Sequence, residues 1–365
     1  MKEKIITIIG GYGNTGEVVA NILSAKTEHK IIIAGRDVEK AQKLASQLGK
    51  NTKAVQLDIF DQIQLKNICH ASDIIVNCAG PTVKIKDTVG RIAVQEGCNF
   101  IEVGGYDYIT KEFRDQNSQL IDNKLSYVLS SGWIPGMAEI LPYYSDLRAN
   151  EILDKKENMF FYCGDRNYWS ETGLLDTVRY SKKNSLEFMK IVKAGKIRNS
   201  MGIMKSFNLP FGINKQLGCL HLSSELKTFA LNHGEYRNIR GYLTLFGWST
   251  FLTFMKITYF MRSDKKCMKA LANAYRKEVD EKGKLGLSMV EITGWKDGKR
   301  KKLQTAMISE GGYYLTGVGC AATVLVLLKN KLKTGINYMP EAIDTMEYVS
   351  ILNDLEIKIF ENIEG

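Results

Sequence analysis

Gly11, Gly13 and Gly16 stand in G-x-G-x-x-G spacing within the run Gly10-Gly11-Tyr12-Gly13-Asn14-Thr15-Gly16. This arrangement suits a phosphate. The first glycine permits a tight turn, the second lets a pyrophosphate approach the backbone, and the third lets a helix pack closely on a strand. Free N–H groups at the helix start then receive the diphosphate. The spacing alone is a weak signal, so its flanks decide. Ile5 to Ile9 read as a strand buried on both faces. Val18, Val19, Ile22 and Leu23 recur at helical spacing, and Ile31 to Ala34 give a second strand. This βαβ frame of 30 residues favours a dinucleotide loop over a purely structural glycine turn.

The second strand ends in Ala34-Gly35-Arg36-Asp37. An acid at this point holds a ribose 2′-OH and selects NAD, whereas an arginine accommodates the 2′-phosphate of NADP. Arg36 lies 20 residues beyond Gly16, where the acid is expected. Asp37 has another task as N-cap of a helix with Ala41, Leu44, Ala45 and Leu48 on one face and Gly49 as its stop. NADP is favoured, with NAD as the alternative; a solvent-facing Arg36 is the plain reading.

The elements that must position these residues continue the alternation. Ala54 to Leu57 form a third strand ending at Asp58, expected near the adenine. Ile74 to Cys78 form a fourth, followed by Ala79-Gly80-Pro81. Phe100 to Val103 and Tyr127 to Ser130 give a fifth and a sixth. Such alternation implies a doubly wound parallel sheet with its crevice at the C-terminal strand ends. There, backbone groups of Asn77, Cys78, Ala79 and Gly80 can hold the nicotinamide ribose. Hydride chemistry belongs to the cofactor, so the protein's task is orientation and proton handling. Glu102, Tyr106 and Asp107 follow the fifth strand and are the candidates to relay a proton, against their reading as turn residues. Trp133 follows the sixth strand and could face the substrate. Further on, Asp165, Arg166, Trp169 and Glu171 form a polar and aromatic group in what reads as a loop. Arg166 could clamp a substrate carboxylate, although a surface pair with Asp165 is the favoured reading. His221 and His233 read as structural.

After the sixth strand the alternation stops. Asp297-Gly298 marks a hairpin, and Thr316 to Leu328 form an apolar helix. The expected fold is α/β, a doubly wound parallel Rossmann sheet with a second α+β domain built on a largely antiparallel sheet. The expected division is residues 1–145 for dinucleotide binding, 146–312 for substrate and dimerisation, and 313–365 packing back on the Rossmann domain.

Bulk properties set outer bounds. The chain has 365 residues, 44% hydrophobic and 25% charged, with a net charge of +10. It can build a core without staples. The excess charge suits an anionic cofactor and an anionic small-molecule substrate. Lys299-Arg300-Lys301-Lys302 reads as a solvated hairpin arm, not a nucleic-acid patch. Seven cysteines occur singly, with no CxxC pair and no clustered histidines, which argues for reduced cytoplasm and against a metal site. The stretch Gly241 to Met261 is apolar but holds Lys256 and several hydroxyls, so a buried or interface segment is favoured over membrane contact.

Several of these runs resemble the saccharopine dehydrogenase-like family, of the reductase type with an N-terminal NADP-binding domain. Gly10 to Gly16 is similar to its phosphate loop. Asn77 to Pro81 resembles its Asn-x-x-Gly-Pro run, Glu96 to Gly105 its Gly-x-x-Tyr-x-Asp-x-x-Gly stretch, and Gly132-Trp133-Ile134-Pro135-Gly136 its Gly-x-x-Pro-Gly turn. Beyond residue 140 the likeness thins to Ser170-Glu171-Thr172-Gly173, Val290 to Lys299 and the helix near Thr316. The family's Tyr and Asp of the fifth strand stand here as Phe100 and Glu102, and Tyr106-Asp107 replaces its common Gly-Glu. The resemblance implies an NADP-dependent oxidoreductase acting at a C–N centre of an amino-acid-like substrate, with a homodimer common among relatives. C=C reduction of a lipid-like substrate and NADP sensing without catalysis are the alternatives.

Overall fold

The structure, a computed structural model, describes residues 3–105, 116–183, 188–200, 202 and 204–365. By its internal contacts the chain divides into two units. The first is Met1–Met137 with Tyr313–Glu356, and the second is Ala138–Gly312 with Ile357–Gly365.

The first unit is a seven-stranded sheet. Six of its strands come in alternation: β1 (Ile5–Ile9), β2 (Lys30–Gly35), β3 (Thr52–Gln56), β4 (Ile74–Asn77), β5 (Asn99–Glu102) and β6 (Ser126–Leu129). The order is β15-β6-β5-β4-β1-β2-β3, where β15 (Gly335–Tyr338) adds the edge beside β6. Every pairing is parallel. β1 and β4 carry almost unbroken Ile and Val because both their faces are covered. The strand order reverses between β1 and β4, the position where ligands bind in open sheets of this kind. The helix Gly312–Leu328 belongs to this unit from Tyr313 on. It approaches the first helix, α1 (Asn14–Lys26), so closely that a side-chain carbon at Gly317 would meet Val18 and the Thr15 carbonyl.

The second unit is a nine-stranded sheet. Its strands are β7 (Lys155–Arg166), β8 (Lys190–Lys193), β9 (Lys196–Asn199), β10 (Met204–Leu209), β11 (Asn214–Leu220), β12 (Asn238–Phe246), β13 (Leu285–Lys296), β14 (Lys299–Ser309) and β16 (Ile359–Glu364). The main path is β10-β11-β12-β7-β13-β14-β16, with β8 on β12 and β9 on β8. Only β12 and β7 run parallel; the remaining pairs are antiparallel. The expected α/β architecture with a largely antiparallel second sheet is therefore present. Asp297 and Gly298 join β13 to β14 with φ of 50° and 73°, as a two-residue hairpin turn of this hand requires.

The two ends of the second unit differ from the sequence reading. The division falls at Met137, because the helix Ile140–Ile152 packs on β13 and β14. Ile359–Glu364 pairs with β14, so the last residues group with the second unit while Tyr313–Glu356 groups with the first. The apolar stretch from Gly241 to Met261 resolves into the end of β12 and the helix Trp248–Tyr259. No helix among the described residues is long and apolar enough to cross a membrane.

Candidate active site

The glycine loop sits at the switch point, directly after β1. Gly10 turns with φ of 74°, and a side-chain carbon there would lie 2.9 Å from the Ala79 nitrogen. The loop thus touches the turn after β4. A carbon at Gly16 would overlap the Gly10 carbonyl oxygen and the Gly11 α-carbon. Gly16 is a packing glycine. Gly13 is of another kind: it is exposed, and a carbon there meets only the Gly10 oxygen at 3.2 Å. Gly13 is also the N-cap of α1 and supplies no side-chain cap. Asn14, exposed, and Thr15, half-buried, open that helix. The first N–H groups of a helix lack intrahelical acceptors and carry the positive end of its dipole. An anion is the natural partner for this end.

Tyr12 links the loop to the end of β2. Its ring lies where a Gly35 side chain would stand, and its hydroxyl accepts a hydrogen bond from the Asp37 N–H at 3.0 Å. Asp37 caps its helix by accepting from the Lys40 N–H at 3.1 Å and pairs with the Lys40 ammonium at 2.9 Å. Those hydrogen bonds hold its carboxyl below the usual range. Arg36 is exposed and has no ion-pair partner among the described residues. Asp58 follows β3, exposed, and one of its oxygens accepts from the Phe60 N–H at 3.0 Å, fixing the turn.

Behind the loop, strand register sets Asn77 beside Glu102. Both are buried. Asn77 Nδ2 donates to Glu102 Oε2 at 2.7 Å, and the Ala79 N–H donates to Asn77 Oδ1 at 3.2 Å. Glu102 Oε1 accepts from the Gly104 N–H at 3.1 Å. Glu102, the residue read as a proton relay, thus joins the ends of β4 and β5 through these hydrogen bonds. Its oxygens are occupied because a buried carboxylate must be hydrogen-bonded. Cys78 is half-buried in the same turn, and the buried Cys320 thiol hydrogen-bonds to it; that bond and burial push the Cys320 thiol well up. Gly80 follows, exposed. Tyr106 and Asp107 lie outside the described residues.

The turn after β6 closes on itself. Gly136, at φ of 131°, approaches the Ser130 carbonyl too closely for any side chain, and the Met137 N–H donates to the Gly132 carbonyl at 2.8 Å. Trp133 is 3% exposed. Its Nε1 and the Ser131 hydroxyl are buried without a hydrogen-bond partner among the described residues. Such orphaned donors in a native fold need an explanation, and a ligand is one.

Arg166 and Trp169 belong to the second unit. Arg166 is buried and donates from Nε to the Gly283 carbonyl at 2.8 Å and from Nη2 to the Lys282 carbonyl at 3.2 Å. It caps the C-terminal end of the helix Asp264–Lys282, neither a surface partner of Asp165 nor a free clamp. Burial lowers its pKa, with Glu278 opposing. Trp169 stacks on Tyr275 at 4.5 Å within an apolar cluster. Ser170 caps the next helix, Glu171–Lys183, accepting from the Gly173 N–H at 3.1 Å. Burial drops the His221 pKa to about 4, which leaves it neutral at physiological pH.

Comparison with known proteins agrees with this geometry. Residues 6–127 match the family model described as Saccharopine dehydrogenase NADP binding domain, so the resemblance read from the sequence holds there. The class is thereby defined: a chain with the cofactor domain and fold of NAD(P)-dependent oxidoreductases. Its fold is similar over full length to apo saccharopine dehydrogenase (L-Glu forming) from Saccharomyces cerevisiae. The TM-score is 0.70 at 15% identity, covering 99% of this chain and 100% of that one. It is also similar to C. glutamicum DAP dehydrogenase in complex with DAP, at TM-score 0.50 and 15% identity over 98% and 99% of the two chains. An engineered D-amino acid dehydrogenase bound to NADP+ gives TM-score 0.50 and 13% identity over 97% and 99%. No curated protein matches the sequence.

Proposed function

We propose that the chain is an NADP-dependent oxidoreductase that transfers hydride at a C–N centre of a small, anionic, amino-acid-like substrate. The observation that carries the cofactor half is the contrast within one loop: Gly16 and Gly10 are closed by backbone nearer than 3.0 Å, whereas Gly13 is exposed and a carbon there meets only the Gly10 oxygen, at 3.2 Å. An exposed glycine at the start of α1 lets a pyrophosphate approach the backbone closely. The substrate half draws support from the three full-length fold neighbours, whose names are those of amino-acid dehydrogenases.

Bound nicotinamide gives or takes the hydride. In this reading α1 holds the diphosphate by its N-terminal N–H groups, and Arg36 meets the 2′-phosphate. Asp58 borders the adenine side, and Glu102 braces Asn77 so that Cys78, Ala79 and Gly80 present their backbone to the nicotinamide ribose. Trp133, with its unpartnered Nε1, faces the substrate. Proton transfer falls to Tyr106 or Asp107, which Tyr106→Phe and Asp107→Asn separate.

The test is NADPH oxidation followed at the nicotinamide absorbance band. One panel offers 2-oxo acids with amino acids, another enoyl thioesters. Turnover with the first panel is expected. Turnover only with the second indicates C=C reduction, and tight NADPH binding without any turnover indicates a sensor. Gly13→Val should fold and lose the dinucleotide, whereas Gly16→Val should fail to fold because of its backbone overlap. Unchanged affinity in folded Gly13→Val removes the loop from the site.

A further inference from the structure

The helix Trp248–Tyr259 in the second unit turns its apolar side outward. Only Thr250 and Ile257 of its residues are buried. Trp248 is 62% exposed, Leu252 53%, Tyr259 54%, and Phe260 just beyond is 79% exposed. At roughly 100° per residue, Trp248, Leu252, Met255 and Tyr259 share an arc of about 60°, opposite Thr250 and Ile257. The inner side is already satisfied. Ile257 and Phe254 pack with Leu174, Val178, Leu271 and Tyr275. The outer aromatic face is therefore surplus to folding, and a contiguous exposed face of this kind marks an interaction site.

Charge identifies the partner. Lys256 flanks the apolar arc, and Arg262, Lys265, Lys266 and Lys269 follow it; all five are exposed. None has an ion-pair partner among the described residues. From Gly247 to Lys277 the sequence holds a single acid, Asp264, and Arg179 and Lys182 already engage it at 3.0 Å and 3.2 Å. An exposed apolar face bearing Trp and Tyr, flanked by Lys256 and followed in sequence by four unpaired cations, has the composition of a segment lying in a membrane interface. A second copy of the chain fits less well, because a two-fold contact here brings these cations toward their own images.

We propose that this face docks on an anionic lipid bilayer, with Trp248, Leu252, Met255, Tyr259 and Phe260 at the acyl boundary and the cations on headgroup phosphates. The helix lies on the bilayer and does not span it. Its 12 residues reach about 18 Å, short of the ~30 Å of a hydrocarbon core.

The experiment is co-flotation of the full chain with phosphatidylcholine vesicles, with and without phosphatidylglycerol, alongside sedimentation of the free protein. Binding only to the phosphatidylglycerol vesicles, weakened by salt, is expected. Trp248→Ser with Leu252→Ser should lower the partitioning roughly tenfold or more, and Lys265→Glu with Lys266→Glu should do the same. Circular dichroism and the urea midpoint, read in all variants, report whether the second unit, which holds these residues, is intact. Absence of flotation with anionic vesicles, equal flotation of the variants, or a dimer that Trp248→Ser with Leu252→Ser dissociates would each overturn the proposal.

Discussion

Glu102 in the first unit and Asp165 in the second are carboxylates withdrawn from water in opposite company. Glu102 accepts from the Asn77 side chain and the Gly104 N–H, and its register partner on the next strand supplies the first of these. Asp165, at the end of β7, keeps Oδ1 buried with no hydrogen-bond partner among the described residues. Desolvation pushes its carboxyl up to about 7, against a weaker opposing hydrogen bond from Asn167. The difference that matters is one of satisfaction. A carboxylate supplied with N–H donors becomes part of the frame, while one left short of donors stores a penalty that protonation releases.

The largest effect is expected at Glu102. Glu102→Ala orphans Asn77 Nδ2 and the Gly104 N–H and leaves a cavity. At about 1–3 kcal/mol for each orphaned group, the loss should be about 4 kcal/mol or more once the cavity is included. Urea unfolding measures it. The turn at Ala79 should loosen as well, so dinucleotide affinity should fall in whatever fraction folds. A loss below about 1 kcal/mol would mean that Glu102 is not the brace described above.

Asp165→Asn should act in the opposite direction. The folded pKa lies above the ordinary aspartate value of 3.8, so the native state holds the proton longer than the unfolded chain. Stability therefore falls as pH rises from about 4 to about 7 and is flat beyond. The full shift corresponds to about 4 kcal/mol, and partial solvent access reduces this to about 2 kcal/mol. Asp165→Asn should be more stable than the parent at pH 8, little different at pH 4, and should lack the slope between. Urea midpoints at the two pH values decide it, and parallel pH profiles for both proteins would refute the orphaned state.

These contrasts also show what a sequence discloses. β1 and β4 were legible because burial on both faces demands unbroken Ile and Val, and the Asp297-Gly298 turn because two positive φ values demand such residues. β15, Gly-Ile-Asn-Tyr, was not legible: it is a short, half-buried edge with no periodicity of its own. The glycine loop declares itself through backbone sterics. The Asn77–Glu102 contact joins residues 25 apart and exists only through the register of β4 and β5, which no local pattern states. For Arg166 a usable signal was present. Adjacent residues on a strand point to opposite faces, so Asp165 and Arg166 in β7 are poorly placed to pair.

Arg36 extends the contrast to a third charge, one left in water. It has no ion-pair partner among the described residues, and it follows β2 beside Tyr12 of the glycine loop. A guanidinium so placed carries little stability and is free for a ligand. Asp37 is the natural objection, since a carboxylate facing the crevice repels a 2′-phosphate. Its oxygens are instead committed to the Lys40 N–H and the Lys40 ammonium, and its own N–H is held by Tyr12. The acid next to the arginine is thus turned to its helix. Arg36→Ala should leave unfolding unchanged within about 0.5 kcal/mol, as exposed surface substitutions do. It should weaken NADP roughly tenfold, about 1.4 kcal/mol, through loss of charge-assisted hydrogen bonds to the 2′-phosphate. NAD should bind almost as before. Titration of both dinucleotides against both proteins is the measurement. Tighter binding of NAD by the parent, or equal weakening of the two cofactors, would assign Arg36 to the solvent and leave the choice of cofactor to another residue.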